Sequence, residues 1–192
     1  MALTVQERGA AVATFRYVQV VLMETLSAWV PTTPEMEAKL LFGAHIWDAA
    51  QHADILGKRT HELRLPLQHS RRPADDYVRV LNDLTSLTTT DQRIAAFYDA
   101  ILPRLGARYR DYLERTDPLM DGPTVRIVER ILGDQERMIR ESRDLRRELP
   151  HFGQADPSWV GDVIASERAV TRMVSDDTAA PVAAAAGSGN GP

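Results

Sequence analysis

The stretch TPEMEAKLLFGAHIWDAAQHADIL, residues 33–56, decides the fold class. It opens with Thr33 as a candidate N-cap and Pro34 at the first helical position, where a missing N–H costs nothing. Leu40, Leu41, Ala44, Ile46, Ile55 and Leu56 then supply apolar positions along a helix predicted from about Glu35 to Leu63. Inside it stand His45, Asp48 and His52, spaced i, i+3 and i+7, which puts all three on one face.

On its N-terminal side a first helix is predicted from about Val5 to Trp29, with Phe15, Val18, Leu22, Leu26 and Trp29 at helical spacing. The run VPTTP, residues 30–34, ends it, because proline restricts the residue before it and donates no hydrogen bond. On the C-terminal side, Pro66 and Pro73 mark a loop over residues 64–73. A short helix over Ala74–Leu84 follows, and Thr90 is a candidate cap for the next. A third long helix runs from about Asp91 to Arg115 through Ile94, Phe97, Ile101, Leu105, Tyr109 and Tyr112, with a kink expected at Pro103. A turn over residues 117–123 leads to a fourth helix from about Thr124 to Leu149. The expectation is all-α: an antiparallel four-helix bundle with a short extra helix between helices two and three. Residues 1–150 form that bundle and residues 151–177 a short extension with a helix over Ser158–Met173. Residues 178–192, Ala, Gly, Ser and Pro without period, form a disordered tail.

Composition narrows the function classes. The chain has 192 residues, 44% hydrophobic and 26% charged, ordinary for a globular domain. It has no cysteine, so disulfides and thiolate metal sites are excluded. A net charge of -4 argues against broad nucleic-acid binding. No apolar run is long enough to span a membrane, and Glu7, Arg8, Arg16 and Glu24 break up any signal-peptide pattern. The expected location is the cytoplasm.

The polar residues inside the helices carry the chemistry. Two imidazoles flanking a carboxylate suit iron, manganese or zinc. His45 and His52 are two turns apart, about 10.5 Å, so a pair of metals with Asp48 between them fits better than one. Helix four carries Glu129 and Glu136 with the same seven-residue spacing and Leu132 between them. Helix one carries Glu24 amid Val20, Val21 and Ala28, with Tyr17 two turns before. A carboxylate amid apolar residues is costly to bury without a partner. Glu24, His45, Asp48, His52, Glu129 and Glu136 are therefore expected to converge as metal ligands. Something positive must neutralise them: a metal, protonated histidines, or an arginine from helix four. That helix has many, at Arg126, Arg130, Arg137, Arg140, Arg143, Arg146 and Arg147.

Two blocks, WVPTTPEMEAKLLFGAHIWDAAQHAD over residues 29–54 and DPLMDGPTVRIVERILGDQE over residues 117–136, resemble a group of bacterial ferritin-like domain proteins. The resemblance runs from about Phe15 to Arg147. It implies two metal ions in the bundle, with a glutamate from each of helices one and three and Glu-x-x-His from each of helices two and four. Glu24 matches the helix-one ligand. Helix two departs, with Ala49 three before His52 and Asp48 four before it; helix four departs, with Leu132 three after Glu129 and Met138 three after Gln135. Helix three offers only Asp99 and, near its end, Glu114. Either the site is atypical or the bundle has lost its metal. The expected function is a non-haem, di-iron-type oxidoreductase acting on a small organic substrate. His45, Asp48 and Tyr17 are its candidate catalytic residues, with Tyr98 and Tyr109 also lining the cavity, and homodimers are common among such bundles. Two alternatives stand beside it: metal-free acid–base catalysis by the same residues, and a non-catalytic scaffold pairing through the arginine-rich helix.

Overall fold

The computed structural model describes residues 3–150, 152 and 154–175; the tail expected over 178–192 lies outside them. These residues form helices and no strand. Helix α1, Val5–Trp29, starts on a capping box: Thr4 Oγ1 accepts from the Glu7 N–H at 3.2 Å, and the Glu7 carboxylate accepts the Thr4 N–H at 2.7 Å. After a 3₁₀ turn at Val30–Thr32, α2 spans Met36–Glu62. Thr33 does not cap α2. Its hydroxyl donates to Trp29 O at 2.8 Å and accepts from Arg93 at 2.9 Å, so it closes α1 instead.

A short α3, Asp75–Thr85, precedes one continuous rod made of α4, Thr90–Ile94, a π-helical stretch, Ala95–Ile101, and α5, Leu102–Arg115. Thr89, one residue before the expected cap, holds the Gln92 N–H, while the Thr90 hydroxyl reaches Glu35 at 2.6 Å. Pro103 has no N–H for the carbonyl four residues back. The rod widens upstream of it, with the Leu102 N–H reaching five residues back to Phe97 O. Then come α6, Gly122–Glu148, and α7, Pro157–Ala169.

The long rods touch in a ring. α1 packs on α2, α2 on α6 and α6 on α5. Phe15 of α1 closes the ring edge-on against Tyr109 and Tyr112 of α5, at 4.7 and 5.4 Å. Phe15, Val18, Leu22, Leu26 and Trp29 are all buried, as their spacing predicts. Leu40 and Ala44 depart from expectation and face solvent. Two buried carboxylates tie the ends. Glu167 of α7 takes Arg104 and Arg108 of α5 at 2.6 and 2.5 Å. Asp121, before α6, takes Arg59, Tyr112, Thr116 and Thr124. No helix of the described residues is long and apolar enough to cross a membrane.

Candidate functional site

His45, Asp48 and His52 face α6, and α6 answers them residue for residue. His45 Nε2 lies 2.8 Å from Glu141 Oε2, Asp48 Oδ1 lies 2.8 Å from Arg137 Nη2, and His52 Nε2 lies 3.0 Å from Asp134 Oδ2. Asp134, Arg137 and Glu141 are themselves spaced i, i+3 and i+7. Two antiparallel helices with that spacing bring three pairs into register. Arg137 also donates to Asp134 at 3.1 Å and to Glu141 at 3.3 Å. One guanidinium thus serves three carboxylates.

Protonation follows from this geometry. Burial holds both imidazoles below the usual histidine range, against the pull of Glu141 and Asp48 on His45 and of Asp134 and Asp48 on His52. Burial alone would raise Asp134 and Glu141. Hydrogen bonds from His52 and Arg137, and from His45 and Arg137, outweigh it and keep both below their ordinary values. Both carboxylates are therefore ionised at neutral pH and accept from Nε2–H of neutral imidazoles. His45 Nδ1 is then an acceptor for the Tyr98 hydroxyl at 2.6 Å. Tyr98 is fully buried on the π-helical stretch, and burial holds its phenol well above the usual range, so it keeps its proton.

The six expected ligands do not converge. His45, Asp48 and His52 share the seam. Glu24, Glu129 and Glu136 are all exposed on the outside of their helices. Glu136 pairs with Arg110 of α5 at 3.1 Å, on the side of α6 away from α2. Of the apolar neighbours of Glu24, Val20 and Val21 are half-buried and Ala28 is exposed, so they form an outer flank of α1 and not a second wall of the core. Tyr17 is part-buried at the edge of the core; the phenol that meets His45 is Tyr98. Tyr109 accepts from Gln19 at 2.8 Å inside the bundle. The residues missed from the sequence are Asp134, Arg137 as a seam member, and Glu141. A signal for them was present: the i, i+3, i+7 spacing of helix two, repeated with complementary charge.

The arrangement does not fit the two-metal centre implied by the resemblance. Asp48, Asp134 and Glu141 each accept from Arg137, and among the described residues no group of three or more His, Asp or Glu side chains is set to hold a metal ion. No protein-family model, no curated protein and no solved structure matches the chain.

Proposed function

We propose that this chain is a ferritin-like four-helix bundle whose polar centre is closed by an arginine, and that it serves as a non-catalytic docking scaffold. The observation that carries the reading is Arg137, whose guanidinium supplies the charge that three carboxylates need. Of the three neutralising groups expected from the sequence, an arginine from helix four is the one that meets the cluster. The ring of four long rods, with its longest connection between the second and third, supports the ferritin-like part. Docking through the arginine-rich helix has less support, because Arg130, Arg137, Arg146 and Arg147 each pair within the chain. The outward face of α2 has more, since it exposes Met36, Leu40 and Trp47.

Calorimetric titration of chelator-free protein with Mn(II), Zn(II) and, without oxygen, Fe(II) tests this. The expected result is no saturable binding at micromolar metal. Stoichiometric uptake that His52→Ala abolishes would overturn the scaffold and restore the non-haem oxidoreductase. One observation favours a second reading, proton transfer: the chain Tyr98–His45–Glu141 leads from the interior to a half-exposed carboxylate. That reading requires a substrate to reach Tyr98, which has no exposed surface.

A further inference from the structure

Helix α2 has two faces of opposite use. Ala38, Phe42, Ala49 and Leu56 lie in the core. Met36, Leu40, Gly43 and Trp47 lie on the opposite side, spaced four, three and four, the repeat of a coiled-coil seam. Met36 is 60% exposed, and Leu40 and Trp47 are each 67% exposed. Between Lys39 and Asp48 the only ionisable side chain is His45, which is buried on the other face. Around a β-carbon built on Gly43 nothing stands within 4 Å, and Ala44 beside it is exposed, so the stripe has a flat seat next to its largest knob.

We propose that a second copy of this chain occupies this face, α2 against α2, antiparallel about a two-fold axis near Gly43–Trp47. The inference rests on the docking reading above and names its partner. Self-complementarity carries it. Knob and seat lie four residues apart on one stripe, so a two-fold rotation lays each Trp47 on the Gly43–Ala44 seat of the other copy. A lipid surface fits poorly: the flanking charges Glu37, Lys39, Asp54 and Lys58 balance, and Lys58 and Asp54 pair at 2.6 Å. A two-fold axis midway between Gly43 and Trp47 sets Met36 opposite Asp54 of the other copy, so roughly 28 Å of each α2 overlaps, in a strip roughly 10 Å wide. That is on the order of 300 Å² per copy, well below a standard interface, so the dimer is weak and concentration-dependent.

Sedimentation velocity on the full chain, from about 1 to 200 µM, tests it. The wild type should pass from monomer to dimer over that range. Trp47→Glu should stay monomeric with unchanged circular dichroism and melting. Gly43→Leu is the sharper probe. It adds apolar surface where space is open, so simple stickiness would strengthen association, whereas a filled seat should weaken it at least tenfold without lowering the melting temperature. A wild type monomeric at 200 µM, a dimer that survives Trp47→Glu, or a dimer strengthened by Gly43→Leu would overturn the proposal. These outcomes are separate from the metal titration. A monomer that takes up no metal removes the second copy and leaves the scaffold, whereas a metal-binding chain removes the scaffold even if it dimerises.

Discussion

Two arginine–carboxylate clusters tie α2 to α6, and they are built on opposite principles. At the end of the bundle Asp121 is fully buried, and it accepts from Tyr112 at 2.6 Å, Thr116 at 2.8 Å, Thr124 at 2.6 Å and Arg59 at 3.1 Å. One anion there has four donors and one buried cation. In the middle of the helices one cation, Arg137, serves three anions, and all its partners keep some contact with water: Asp48 16%, Asp134 25% and Glu141 40% exposed. The first cluster is saturated and closed. The second is rich in acid and open at the rim, with Arg137 at its centre and Arg130 beside it only at 3.9 Å from Asp134. Closure makes the first a staple. The excess of acid makes the second responsive to protons and cations.

Breaking the first should therefore cost most. Asp121→Ala takes the buried carboxylate from Arg59, leaving it only Glu62 at the rim, and leaves three hydroxyls without their acceptor. Removing one partner of a buried pair typically costs about 3–5 kcal/mol. For a chain of this size that is a fall of roughly 10 °C in the melting midpoint, measurable by calorimetry. Arg137→Met keeps the volume and removes the charge. Because the seam is partly solvated, the loss should be smaller, about 1–2 kcal/mol. It should also turn the cluster into a cation site: millimolar Mn(II) or Zn(II) should recover part of the lost melting temperature in Arg137→Met and none in the wild type. Equal responses to metal would refute the view that the arginine occupies the place of a metal.

Acid should separate the two clusters in a third way. Both seam imidazoles have folded values lowered by burial, so near pH 6 the unfolded chain binds more protons than the folded one. Stability then falls as pH drops through the ordinary histidine value of about 6.5, and continues to fall until the lower folded values are passed. Burial would raise Asp121, but hydrogen bonds from Thr124, Tyr112, Thr116 and Arg59 hold it below its ordinary value. Its contribution is lost only at more acidic pH. Melting followed from pH 7.5 to 5.5 should decline in the wild type and flatten in the double variant His45→Gln, His52→Gln. An unchanged slope in that variant would assign the decline to other groups.

Much of the fold was legible because burial imposes a period. Phe15 to Trp29 reads as helix since every third or fourth residue must meet the core, and the prolines at 31, 34, 66, 73, 118 and 123 punctuate the rest. The site was half legible. His45, Asp48 and His52 were found by spacing, but spacing on one helix does not reveal which side of another helix faces it. Helix α6 carries acids on several faces, and Glu129 and Glu136 matched the seven-residue interval as well as Asp134 and Glu141 did. The charge complement decides between them: a stripe of His, Asp and His needs acid, base and acid opposite, and only Asp134, Arg137 and Glu141 supply that order. Leu40 and Ala44 misled for a related reason. An apolar residue on an outward face has the same letter as one in the core, and only the neighbouring helices distinguish them.

The smallest expected effect belongs to the three carboxylates that sequence spacing favoured. Glu24, Glu129 and Glu136 are exposed, and the one ion pair they make among the described residues, Glu136 with Arg110, joins side chains 64% and 52% exposed. Water screens such a pair, and ordering two long side chains offsets most of its attraction. Neutralising each in turn, as Glu24→Gln, Glu129→Gln and Glu136→Gln, should move the melting midpoint by less than about 2 °C, the usual range for surface substitutions in a chain of this size. The triple variant should add these small shifts without coupling, because the residues share no partner. It should also leave the histidine-dependent acid slope unchanged, since none of the three touches His45, His52 or Arg137. A large shift from Glu24→Gln or Glu129→Gln alone, or a triple variant with an altered acid slope, would mean these carboxylates reach the seam in solution. The convergent site expected from the sequence would then have to be reconsidered in place of the arginine-closed one.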